Sequence, residues 1–235
     1  MSDEESRGGY RSFVGPADQY DLIGAAQFAL LYALGLRAHH RLLDVGCGSL
    51  RAGRMLIAYL EPGRYVGVEP EHWFIEEAIE REIGRDMVAI KQPRFDHSSD
   101  FSLDHLGRFD FVLAQGVATN TGPTLLPALL AAVEQTLECD GLAAITVIHS
   151  DSGDSDALAV EIDDESARRY PGCYSYRRDA IAQIVAAAGL AGEPIAWHHP
   201  RHTWWLLAHH TERLPPASYR EKLTGPTLSK TTTTR

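Results

Sequence analysis

A chain of 235 residues with 44% hydrophobic and 23% charged content is long enough to bury a three-layer core and too apolar to be read as disordered. Its formal net charge of −10 disfavours nucleic acids and anionic lipid surfaces as partners. Three cysteines without a C-x-x-C pair, an acidic start (MSDEESRGGY) unlike a signal peptide, and no apolar run approaching a membrane span predict a cytoplasmic protein with free thiols.

Residues 1–15 lack an apolar pattern and are expected to be mobile, leaving 16–222 as a single domain. Over 16–37, Leu22, Ile23, Ala26, Leu30, Leu31 and Leu34 recur at helical spacing and predict an N-terminal helix. It either closes over a pocket, with Tyr20 and Gln27 facing it, or only covers a sheet edge. The stretch RLLDVGCGSLRAG that follows joins an apolar strand, ended by Asp44, to a helix through Gly46-Cys47-Gly48. Glycines in such a turn let backbone N–H groups approach a ligand, and the helix N-terminus adds partial positive charge. A dinucleotide fingerprint wants a small residue where this chain has Arg51, which argues against NAD. Pro62-Gly63 stops the helix over 50–60, and a second strand over 64–69 ends in Glu69, placed to accept hydrogen bonds from ribose hydroxyls.

LLDVGCGSLRAG and YVGVEP together resemble the first two cofactor motifs of the class I S-adenosylmethionine-dependent methyltransferases, bacterial small-molecule type. The resemblance implies an α/β, Rossmann-like class I methyltransferase fold: a seven-stranded, mostly parallel sheet with a final antiparallel strand and helices on both faces. It implies S-adenosyl-L-methionine as cofactor, held by Asp44, Gly46, Cys47, Gly48, Arg51, Glu69, Pro70 and Trp73. Asp100 and Phe101 fall where the family reads adenine, and Gln115 and Gly116 follow its fourth strand.

Downstream, a helix over 72–84 and strands over 87–90, 109–115 and 141–149 match the family's order. Thr124 is expected to cap a helix whose Leu126, Leu129, Leu130, Val133 and Leu137 share one face. A helix over 178–190 and strands over 194–197 and 203–207 form the closing part, and 223–235 is expected to be a mobile tail.

On the acceptor side, relatives often carry a histidine in the loop after the fourth strand. GVATNTGP has Asn120 there, and asparagine is no general base at neutral pH. His149, ending the fifth strand with Asp151 or Asp154 in support, is therefore the expected base, the bland alternative being a strand-end histidine bonded to backbone. Residues 150–177 read as a lid or substrate insertion, whose Tyr170, Tyr174 and Tyr176 either wall an acceptor pocket or simply pin the loop down. Tyr20, Asn120, Tyr174 and His199 are candidate substrate contacts. The His198, His199, His202 cluster lacks ligand spacing, so no metal site is expected, and the hairpin histidines are read as solvated.

The expected function is methyl transfer to an oxygen or nitrogen of a small molecule. The rival is a non-catalytic or regulatory protein of the same fold that binds the cofactor.

Overall fold

The computed structural model describes residues 9–150, 159–161 and 173–225. Strand β1 (Leu42–Val45) is buried throughout and pairs in parallel with β2 (Tyr65–Val68) on one side and β4 (Phe109–Ala114) on the other. Outward from these lie β3 (Arg94–Asp96) beside β2 and β5 (Leu137–His149) beside β4, both parallel. The penultimate and last strands, β8 (Ala191–Ile195) and β9 (Thr203–Ala208), pair antiparallel, and β9 lies antiparallel against β5. The order 3-2-1-4-5-9-8 is the expected sheet of seven, with one antiparallel strand, and the order reverses between β1 and β4. A short hairpin of β6 (Ala159–Glu161) and β7 (Tyr174–Tyr176) adds to the carboxyl end of β5, where Ile148 and His149 pair with Ser175 and Tyr176.

Strand alternation sends side chains to two buried layers. Leu42, Phe111, Leu113, Trp204 and Leu206 pack with α1 (Tyr20–Ala33) and α2 (Gly53–Tyr59). Leu43, Val45, Val112, Ile145, Val147, Trp205 and Leu207 pack with α5 (Val117–Thr136) and α6 (Arg178–Ala187). Both faces of the central strands are covered, which is why they read as unbroken apolar runs.

Several elements differ from the sequence reading. After α3 (His72–Ala78), residues 87–90 are helical, inside α4 (Arg85–Lys91), and the third strand is Arg94–Asp96. That strand is a three-residue edge with Arg94 exposed, so it carries no apolar signature. The long helix α5 breaks at Gly122 (φ 66°, ψ 178°) and restarts at Pro123, so Thr124 is not its cap. Residues 10–14 form a turn of 3-10 helix, and Leu223 is buried while His198 N–H donates to Thr224 O at 2.9 Å. Leader residues 1–8 and tail residues 226–235 lie outside the described residues.

All three cysteines are free; Cys47 and Cys173 are buried, and Cys139, near the start of β5, is exposed. Among the described residues no helix is long and apolar enough to cross a membrane.

Candidate active site

The carboxyl ends of β1, β2, β4 and β5 meet at the reversal of strand order, where open α/β sheets bind ligands. After Val45 the chain turns through Gly46 (φ 68°) and Gly48 (φ 53°), a conformation costly for any residue with a Cβ. A Cβ on Gly48 would stand 2.6 Å from Val14 Cγ1, so the turn is also shaped by close approach. Gly48 N–H donates to Glu69 Oε2 at 3.0 Å and Glu71 N–H to Glu69 Oε1 at 3.1 Å. Glu69 is 3% exposed, and burial raises its pKa. Next to it Asp44 accepts from the Tyr65 hydroxyl at 2.8 Å and is pushed up to about 7 by burial. Two acids thus end adjacent strands beside one glycine turn. Cys47 between them is held well above the ordinary thiol range by burial and by both carboxylates, which makes it a filler and no nucleophile.

Arg51 is buried. Its Nε donates to Gln27 Oε1 at 3.2 Å and its Nη1 to the carbonyl of Val14, and burial lowers its pKa to about 10. Among the described residues it makes no ion pair. Tyr20, also buried, donates to Ser49 O at 2.6 Å, and burial pushes its hydroxyl up to about 12. Tyr20 and Gln27 of the N-terminal helix thus both touch the turn and helix start that follow β1.

The segment ahead of α1 adds a cover that the sequence did not betray. Val14 lies on Gly48, and Phe13 meets Trp73 edge-on at 5.2 Å. Arg11 and Arg54 both pair with the buried carboxylate of Glu82, and Arg54 reaches Asp21 at 2.5 Å. Trp73 is 38% exposed and stacks on Phe74, while Pro70 is exposed.

Asp100 is exposed, its carboxylate accepting from Ser102 N–H at 3.0 Å, which lowers its pKa; Phe101 packs against the α5-side layer with φ 62°. Closer to Glu69 stand two groups that the misplaced third strand hid. His97 Nδ1 lies 2.7 Å from Glu69 O, and Asp96 holds His105 at 2.9 Å. The signal for them is the polar run DHSSD, which begins at the last residue of a short edge strand.

The expected base is not available. His149 shares the face of Ile145 and Val147 by strand parity, toward the α5 layer. Its Nδ1 lies 3.1 Å from Tyr176 O, and its Nε2 accepts from Trp205 Nε1–H at 3.0 Å. With both ring nitrogens engaged it is a structural strand-end histidine. Asp151, Asp154 and Tyr170 lie outside the described residues. Asn120 is partly buried in the first turns of α5; Tyr174 packs on Gly122, and the Tyr176 hydroxyl donates to Ala118 O at 3.1 Å.

The β8–β9 loop folds over the same edge, and its histidines are not simply solvated. Gly116 N–H donates to Thr146 Oγ1 at 2.8 Å, and Thr146 Oγ1 meets His202 Nδ1 at 3.2 Å. His199 stacks on His202 with centroids 4.5 Å apart and touches Gln115 at 3.1 Å. Burial first, then His202 and Arg51, push His199 down to about 2, so it stays neutral. Among the described residues no group of three or more His, Cys, Asp or Glu side chains is arranged to hold a metal ion.

This arrangement is that of a methyltransferase. Residues 43–143 match the family model described as methyltransferase domain. Solved structures agree in fold. The glycopeptide N-methyltransferase MtfA, complexed with S-adenosylhomocysteine, is 11% identical, covering 79% of this chain and 89% of its own, with a TM-score of 0.60. The 1,6-didemethyltoxoflavin-N1-methyltransferase of Burkholderia thailandensis is 22% identical, covering 78% and 76%, with a TM-score of 0.56. Magnesium protoporphyrin IX methyltransferase of Synechocystis PCC 6803 is 16% identical, covering 89% and 92%, with a TM-score of 0.60. No curated protein matches the sequence.

Proposed function

We propose that the chain binds S-adenosylmethionine at this sheet edge and moves its methyl group to a small molecule. The observation that carries the reading is the junction of Glu69 with Gly48: a buried carboxylate at the end of β2 tied to the glycine turn after β1. The residues fit the cofactor. Glu69 offers ribose hydroxyls a carboxylate in a dry setting, and Asp44 adds a second acid for a cationic ligand. Arg51, a buried guanidinium served only by neutral oxygens, fits the cofactor's carboxylate. Trp73 lies at the adenine end, with Asp100 and Phe101 as its further readers. Structures of similar fold with S-adenosylhomocysteine or S-adenosylmethionine bound support this cofactor.

When bound, the cofactor supplies a sulfonium methyl that passes to a lone pair in one in-line displacement. The chain's part is to orient both partners and exclude water. His149 is spent on Trp205, His199 stays neutral, Tyr20 holds its proton to about 12, and Asn120 cannot take one. An acceptor whose lone pair is already free at neutral pH, such as an unprotonated nitrogen or an acidic oxygen, therefore suits the site better than an alcohol. Two proteins of similar fold, a glycopeptide N-methyltransferase and a 1,6-didemethyltoxoflavin-N1-methyltransferase, support nitrogen.

Calorimetry with S-adenosylhomocysteine and NAD in parallel tests the cofactor. The former should bind, and Glu69→Ala should weaken it by about 1 to 3 kcal/mol. Tighter NAD binding, or unchanged affinity in a folded Glu69→Ala variant, overturns the assignment. The second reading, a cofactor-binding protein without transfer, is favoured by Val14 lying on Gly48. Radiolabelled methyl transfer into a metabolite extract separates the two, since only the enzyme leaves label on an acceptor.

A further inference from the structure

Gln115 directly follows β4, beside Gly116, and lines a cavity with Ile23 and Ala26 of α1 and with His198, His199 and Pro200 of the β8–β9 loop. Arg201 N–H, at 3.2 Å, and His202 N–H, at 3.0 Å, converge on His199 Nδ1. That nitrogen therefore carries the lone pair, and the ring hydrogen sits on Nε2. His199 Nε2 is 3.1 Å from the Gln115 amide. A donor there can be met only by the amide oxygen, so the amide turns its oxygen to His199. Its NH2 group then takes the buried position at Gln115 that has no protein partner.

A second orphan donor belongs to another residue that lines the same cavity. Trp204 is 1% exposed, and its indole N–H also lacks a partner. Gln115 and Trp204 line one cavity of about 10 Å³, with Ile23, Ala26 and Pro200 as apolar walls. No acidic or basic side chain other than histidine lines it. Two buried donors without acceptors are costly, and the cavity has room for about one water or one ligand atom. A water would bring two hydrogens that need acceptors, and both nitrogens of His199 are already engaged. A lone-pair oxygen brings none.

We propose that this cavity is the inner end of the methyl-acceptor pocket, where the Gln115 amide and the Trp204 indole together take a carbonyl oxygen of an uncharged, flat acceptor. The assignment rests on the methyltransferase reading. It makes Gln115 and Trp204 specificity residues, with His199 positioning the Gln115 amide.

The test uses ¹⁵N-labelled full-length protein saturated with S-adenosylhomocysteine and titrated with 2-pyridone, or with benzene, a ring of similar size without a carbonyl. The Trp204 indole and Gln115 NH2 resonances should move downfield and saturate with 2-pyridone and not with benzene. Trp204→Phe keeps the ring and removes the donor; it should raise the dissociation constant of 2-pyridone roughly five- to tenfold and leave S-adenosylhomocysteine affinity unchanged. Gln115→Leu, at a partly exposed position, should weaken 2-pyridone by a similar factor. The proposal is overturned by equal shifts with benzene, by no shift, by variants that bind 2-pyridone as the parent does, or by a water contact that survives the titration. Displacement of S-adenosylhomocysteine by 2-pyridone also overturns it, giving the cavity to the cofactor. Should S-adenosylhomocysteine not bind at all, the cofactor reading fails, and 2-pyridone titrated into the protein alone still decides the cavity.

Discussion

Asp44 shows how one residue couples the site to stability. Burial raises its folded pKa to about 7, from 3.8 when unfolded, so folding favours the neutral acid. The stability it contributes is complete below about pH 4 and is lost as pH rises through about 7, a change on the order of a few kcal/mol. Asp44→Asn keeps the neutral shape. Its unfolding free energy in urea should exceed that of the parent at pH 8, with the difference vanishing near pH 4; a constant difference would mean that Asp44 ionises freely. At this scale the cofactor side was legible, because Asp44, Gly48 and Glu69 are set by strand ends and a turn that leave local marks. The acceptor side was less so. The parity of Ile145, Val147 and His149 was available as a sign that His149 faces a covered layer, but its partner Trp205 comes from a strand 56 positions away. The engagement of His199 depends on backbone N–H groups that no residue type announces.

Among the elements, those with two buried faces were readable and those at edges were not. Strands β1, β2 and β4 are apolar because layers cover both sides, whereas β3 reads Arg-Phe-Asp at the sheet edge and lost its place to the more apolar run of α4. The Gly-Pro break in α5 is more than a boundary. Gly122 adopts a φ/ψ pair essentially closed to other residues, and a Cβ there would sit 2.8 Å from the Tyr174 ring. Gly122→Ala should cost about 1 to 3 kcal/mol in chemical denaturation and should loosen the β6–β7 hairpin, seen as faster amide exchange at Ser175 and Tyr176. An undisturbed hairpin would show that Tyr174 is not its anchor. The N-terminal cover also works as an element, since Glu82 gathers Arg11 and Arg54 beneath it. Glu82→Ala should speed S-adenosylhomocysteine association and dissociation together in stopped-flow measurements; unchanged rates would mean that ligand entry does not require the cover to move.

Across the whole molecule, the sheet separates two ends. Every group assigned to the chemistry sits where the parallel strands finish, while β5 begins at the opposite edge with Leu137-Glu138-Cys139. Cys139 is the exposed thiol of the three, ten residues before His149 and beyond the bulge that separates Leu137 from Leu142 in β5. The native chain should therefore take up one maleimide and the denatured chain three, as intact mass would show; a second native adduct would mean that Cys47 or Cys173 becomes exposed, and peptide mapping would say which. The consequence is practical. The molecule carries its own single attachment point on the side away from the cleft, so a dye or a sensor surface can be coupled through Cys139 without engineering, leaving the cleft free to meet ligand.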